Sequence, residues 1–146
     1  MCQSYIRACA CGQHEAEMMF GNMVLDEAAV RGLYCPECSG TVDYRRESMV
    51  LDNGWVLELD EDIIKAFAPR MRMEYDEVSA EKVFDGGYVS WVGMTPEDNR
   101  TRAKERQILL EKFADDKREQ FEALKRWAIA REKQFVAQGW RKAVKK

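Results

Sequence analysis

The chain has 146 residues, 46% hydrophobic and 34% charged, which excludes a disordered or membrane-embedded class and allows one ordinary domain or two small modules joined by a helix. Its net charge of −3 conceals a split: residues 1–99 hold 8 Lys+Arg against 19 Asp+Glu, a balance of −11, while residues 100–146 hold 15 against 7, a balance of +8. No apolar run approaches the roughly 20 residues of a membrane span, and residues 1–12 carry neither a basic region nor a continuous apolar one, so no secretion signal is read and the expected compartment is the cytoplasm.

In chain order the sequence divides into three segments, 1–48, 49–94 and 95–146. The first carries all five cysteines, a β-compatible piece over Glu17–Val24 and a turn signal at Ser39-Gly40. The second opens with Met49-Val50-Leu51 and Trp55-Val56-Leu57-Glu58-Leu59 on either side of Asp52-Asn53-Gly54, a strong hairpin signature. Asp60-Glu61-Asp62 then starts a helix, since carboxylates favour the positive end of a helix dipole, and Pro69 stops it. A short helix is expected over Ser79–Phe84, closed by Asp85-Gly86-Gly87, and a strand over Tyr88–Val92.

The third segment reads as one long helix. Thr95 is a favourable N-cap, Pro96 suits the first helical position, and neither Gly nor Pro recurs before Gly139. At about 1.5 Å per residue such a helix spans about 60 to 65 Å. Leu110, Phe113, Phe121, Leu124, Ala128 and Phe135 fall within one sector of its wheel, a stripe that either pairs with another helix or covers the middle segment of its own chain. Pairing predicts a homodimer or a protein partner through a coiled-coil-like seam.

The cysteines carry the chemistry. Cys35-Pro36-Glu37-Cys38 would need a following helix to lower a thiol pKa for redox work, but Ser39-Gly40-Thr41-Val42 reads as a turn leading into a strand. A metal knuckle needs a tight turn with N–H groups aimed at thiolates, and a small residue after the second cysteine permits it. Cys9-Ala10-Cys11-Gly12 supplies a second pair. Clustering of every cysteine before residue 39 argues for metal rather than for disulfides. Cys9, Cys11, Cys35 and Cys38 are the expected ligands of one tetrahedral zinc, with His14 and Cys2 as alternative members and iron as the alternative metal.

These two pairs resemble the zinc-ribbon class over roughly residues 7–46. The resemblance implies a closed, structural site in a small ribbon. The expected fold class is therefore α+β: an N-terminal zinc ribbon, a short α/β middle module and a long amphipathic C-terminal helix. With one His, no nucleophile–base pair and no phosphate loop, a non-enzymatic interaction or regulatory role is expected. Two alternatives stand beside it. Arg100, Arg102, Lys104, Arg106, Arg141 and Lys142 offer contacts to nucleic acid, and iron in the same four thiolates would make a rubredoxin-like electron carrier.

Overall fold

A computed structural model describes residues 3–141. Among the described residues six strands form two three-stranded antiparallel sheets, and the fold is α+β. The first sheet joins β1 (Gln3–Ala8), β2 (Glu15–Phe20) and β6 (Ser90–Met94) in the order β1-β2-β6. The second joins β3 (Val30–Tyr34), β4 (Met49–Asp52) and β5 (Trp55–Leu59) in the order β3-β5-β4.

The expected hairpin is present as β4 and β5. Asn53 and Gly54 both take positive φ, 52° and 82°, the backbone that a two-residue turn matched to strand twist requires. Its packing is close as well, because a Cβ on Gly54 would stand 3.3 Å from the Pro36 ring. Helix α1 (Glu61–Ala66) begins where Asp60 accepts hydrogen bonds from the backbone N–H groups of Asp62 and Ile63. Helix α2 (Ala80–Asp85) is capped in the same way by Ser79. The strand expected after Gly40 does not form: a single 3-10 turn over Ser39–Thr41 is followed by irregular chain up to β4.

Strand β2 separates two environments. Ala16, Met18 and Phe20 are fully buried in the core, in register with Trp91 of β6 through Met18. Trp91 packs against Phe84 of α2 with ring centroids 5.4 Å apart. The alternate residues Glu17 and Met19 face the opposite way, as the period of two in a strand demands, and there they meet the C-terminal helices.

Those helices correct the expectation of one continuous 60 Å rod. The chain forms α3 (Pro96–Lys112) and α4 (Lys117–Gln138) with a break at 113–116. Thr95 and Asp98 build a full capping box at the start of α3. Asp116 restarts the helix by accepting from the backbone N–H of Glu119. The two helices then run antiparallel: Gln120 Nε2 donates to the Leu110 carbonyl at 2.9 Å, and Trp127 Nε1 donates to Glu105 at 3.0 Å. The break gives up intrahelical hydrogen bonds, and folding back lets Gln120 meet one of the carbonyls so released, that of Leu110.

The stripe consequently packs in part within its own chain. Leu110, Phe113, Leu124 and Phe135 are half-buried, whereas Ala128 and Phe121 remain exposed, Phe121 at 66%. After α4, Gly139 in the left-handed region turns the chain and sends Trp140 into the core at 3% exposure. Arg141 fixes that return. Its backbone N–H donates to Asp52 Oδ1 at 2.8 Å and its guanidinium donates to the Leu51 carbonyl at 2.7 Å, pairs with Glu81 and lies 3.7 Å from Asp85. Among the described residues, no helix is long and apolar enough to cross a membrane.

Candidate metal centre

The four cysteines meet where the two sheets join. Cys9 and Cys11 lie in the turn between β1 and β2, and Cys35 and Cys38 lie just past the end of β3. A backbone hydrogen bond from the Ala10 N–H to the Leu33 carbonyl at 3.4 Å helps bring these turns side by side. All four sulfur atoms fall within 4.8 Å of one another.

Both turns have knuckle geometry. In the first, the Gly12 N–H donates to the Cys9 carbonyl at 2.9 Å and the Cys9 N–H to the His14 carbonyl at 2.8 Å. Gly12 holds φ of +74°, a backbone region in which a side chain is disfavoured. In the second, the N–H groups of Cys38 and Ser39 both donate to the Cys35 carbonyl, at 2.9 and 2.8 Å. Closing the turns this way frees other N–H groups for sulfur. The Cys35 N–H donates to Cys9 Sγ at 3.1 Å across the junction.

The spacing of the sulfurs suits an ion better than a bond. Cys11 Sγ and Cys35 Sγ stand 3.8 Å apart, far beyond the roughly 2.05 Å of a disulfide. Four sulfurs each about 2.3 Å from a central ion would be about 3.8 Å apart along the edges of their tetrahedron. Cys9 and Cys35 are buried, Cys38 is half-buried and Cys11 is exposed.

Ionisation of the cluster is uneven. Burial opposes a charge on Cys9, but the N–H groups of Cys11 and Cys35 outweigh it and bring its pKa down to about 7. At Cys11 the Gln13 N–H and the His14 side chain also favour the thiolate. Burial pushes the Cys35 thiol up. Crowding by Cys9 and Cys35 holds Cys38 protonated, with its pKa pushed up to about 12. Four thiolates this close repel one another, and a divalent cation at their centre removes that repulsion.

His14 does not belong to the group of four sulfurs. It joins a second, overlapping group with Cys35 and Glu37. Its ring is half-buried, stands edge-on to Trp55 at 6.3 Å and carries a buried Nδ1 with no hydrogen-bond partner among the described residues. Trp55 in turn fills the space above Gly93 of β6, where a Cβ would overlap its ring. His14 and Trp55 thus pack the same seam between sheets that the cysteines occupy. Cys2 lies outside the described residues, as does Lys142.

The residues singled out for nucleic acid divide. Arg102 pairs with Glu17 at 2.8 Å, and Arg141 is held by Glu81 and Asp85, whereas Arg100, Lys104 and Arg106 are exposed. Sequence reasoning passed over Glu17 and Arg131. Glu17 is a buried carboxylate on β2, only 9% exposed, that meets Arg102 from α3 and Arg131 from α4, the latter at 3.5 Å. Its signal was available: an acidic residue between Ala16 and Met18, on the face that alternation turns away from the core.

Compared with models of known families, with characterised proteins and with solved structures, the chain matches none.

Proposed function

We propose that this is a non-enzymatic zinc protein in which Cys9, Cys11, Cys35 and Cys38 hold one structural ion, and that it acts as a protein-interaction or regulatory module. The carrying observation is the convergence of four thiols from two separate turns within 4.8 Å. Four thiolates leave no open coordination position, so the ion would polarise no substrate and activate no water. Its work would be mechanical, fastening the β1–β2 turn to the end of β3. Zinc is favoured over iron because a closed tetrahedral set of four thiolates is its usual structural site. His14 then serves as a packing residue that donates toward Cys11, a contact that favours its thiolate.

The partner surface in this reading is the outer side of the helical hairpin. Ile108, Phe121, Ile129 and Val136 stay exposed after folding, at 45–66%, and the last three lie within about 80° on the α4 wheel. A second copy of the chain is the proposed occupant. Protein is favoured over nucleic acid because Arg102 and Arg141 already satisfy carboxylates of the same chain, which lowers the charge left for phosphate.

Elemental analysis and sedimentation on one purified sample test both parts. The expected result is a colourless protein with one zinc per chain that sediments as a dimer at low and high salt. A red, iron-loaded protein would overturn the assignment of the metal. A monomer at both salt concentrations would overturn the partner.

A further inference from the structure

Between the helical hairpin and the outer face of the first sheet lies a cleft of about 430 Å³, within the range of small-molecule sites. It is separate from the cysteines and unrelated to the metal reading. Its floor is Met19 of β2 and Val92 of β6; Trp127 and Phe135 of α4 form an aromatic wall. Such a surface takes an apolar or aromatic body. The polar groups of the cleft are predominantly cationic: Arg102, Arg106 and Arg131 line it against Glu17 and Glu132.

Two features set the sign of the ligand. Arg102 and Arg131 converge on the carboxylate of Glu17 in a half-closed, largely apolar space, with Glu105 a further negative group acting on Arg131. Arg102 Nε is also buried and has no hydrogen-bond partner among the described residues. A buried, unsatisfied donor on a charged group is costly, and an incoming anion relieves it. Burial pulls the Arg131 pKa below its ordinary value, with the neighbouring Arg102 adding to that shift and Glu17 and Glu105 opposing it. Trp127 and Phe135 stack on Arg131 at 5.1 and 5.2 Å, which orients its guanidinium without neutralising it.

We propose that this cleft binds a small organic monoanion with a flat apolar body, of the aryl carboxylate class. The carboxylate accepts hydrogen bonds from Arg102 and Arg106, and the ring lies on Met19 and Val92 beside Trp127. A phosphate or a dianion fits less well, because Glu17 and Glu105 already offset part of the positive charge of Arg102 and Arg131 and most of the remaining surface is apolar.

The test is calorimetric titration of the full chain with 2-naphthoate, repeated with neutral 2-naphthamide. Saturable binding of naphthoate is expected, with naphthamide at least 10-fold weaker. Two variants locate the site. Ala128→Trp, at an exposed position on the lip of the cleft, should abolish binding while leaving circular dichroism unchanged. Arg106→Gln, exposed and outside the Glu17 cluster, should weaken naphthoate about 3- to 10-fold and leave naphthamide unaffected. No saturable binding of naphthoate at millimolar concentration would overturn the proposal. So would equal binding of the amide, or naphthoate binding that survives Ala128→Trp.

Discussion

The two ends of this molecule are fastened by opposite means. At the cysteine end, four thiols come from turns only a few residues from their strands, and two tight turns present them to one point. At the hairpin end, Glu17 of β2 gathers Arg102 and Arg131 from positions 85 and 114 residues further along the chain. In the proposed reading the first fastening depends on local turn chemistry and one ion. The second depends on long-range pairing of buried charges, which stabilises only when every partner is present.

The largest expected effect is at the cysteine end. Cys35→Ser, or removal of the metal, should cost up to about 10 kcal/mol, since binding free energy at a small structural site is folding free energy. Urea unfolding with and without a chelator measures it, and a midpoint unchanged by either treatment would refute the fastening role. Acid should act in the same direction. Thiolates bind the metal and protons compete for them, so metal-linked stability is present near and above neutrality and lost as pH falls. Cys38, pushed up to about 12, would release its proton to solvent on binding the metal throughout that range. Cys9, brought down to about 7, adds its own proton only below that pH. The slope of log affinity against pH should therefore steepen by about one proton per ion on passing below pH 7. A competition titration with a chromogenic chelator at pH 6 and pH 8 reads that change.

Next in size is the buried cluster. Glu17→Ala strands two poorly solvated guanidiniums and should cost about 3 to 5 kcal/mol in urea unfolding. Adding Arg131→Met to that variant should restore part of the loss, whereas additive losses would show that the pair is not coupled. At the break between α3 and α4, Asp116→Ala removes the cap that restarts the helix and should cost about 1 kcal/mol, visible as a lowered melting temperature. The smallest effect belongs to Arg45→Ala. Its pairing with Glu61 at 3.0 Å is exposed, with 62% of the Arg45 side chain in solvent, and such pairs contribute about 0 to 1 kcal/mol. A loss much above that range at Arg45 would mean that surface charge matters more here than the comparison allows.

What was legible in the sequence follows the same division. Asn53-Gly54 announces its hairpin because the turn backbone is set by those two residues alone. Asp60, Ser79 and Thr95 announce helix starts because an N-cap acts within three residues. The cysteine pairs are visible for the same reason, although their convergence depends on contacts between the two turns, Ala10 to Leu33 and Cys35 to Cys9, that have no local signature. The pairing of β2 with β6, about 75 residues apart, has no local signature. The break at 113–116 did have one. Asp116-Lys117-Arg118-Glu119 is a capping residue with an acidic side chain three positions on, and it was hidden inside a mixed-charge run that also suits a helix surface. The charge split also has a partial explanation within one chain: Arg102, Arg131 and Arg141 of the basic segment each find carboxylates of the acidic one.

The central claim is that an ion at Cys9, Cys11, Cys35 and Cys38 holds the two sheets together. Near-ultraviolet circular dichroism of the full chain tests it most directly, because Trp55 and His14 pack the seam beside those thiols. Chelation should collapse the aromatic signal, and one equivalent of zinc should restore it. An aromatic spectrum that is the same with and without metal would contradict the account.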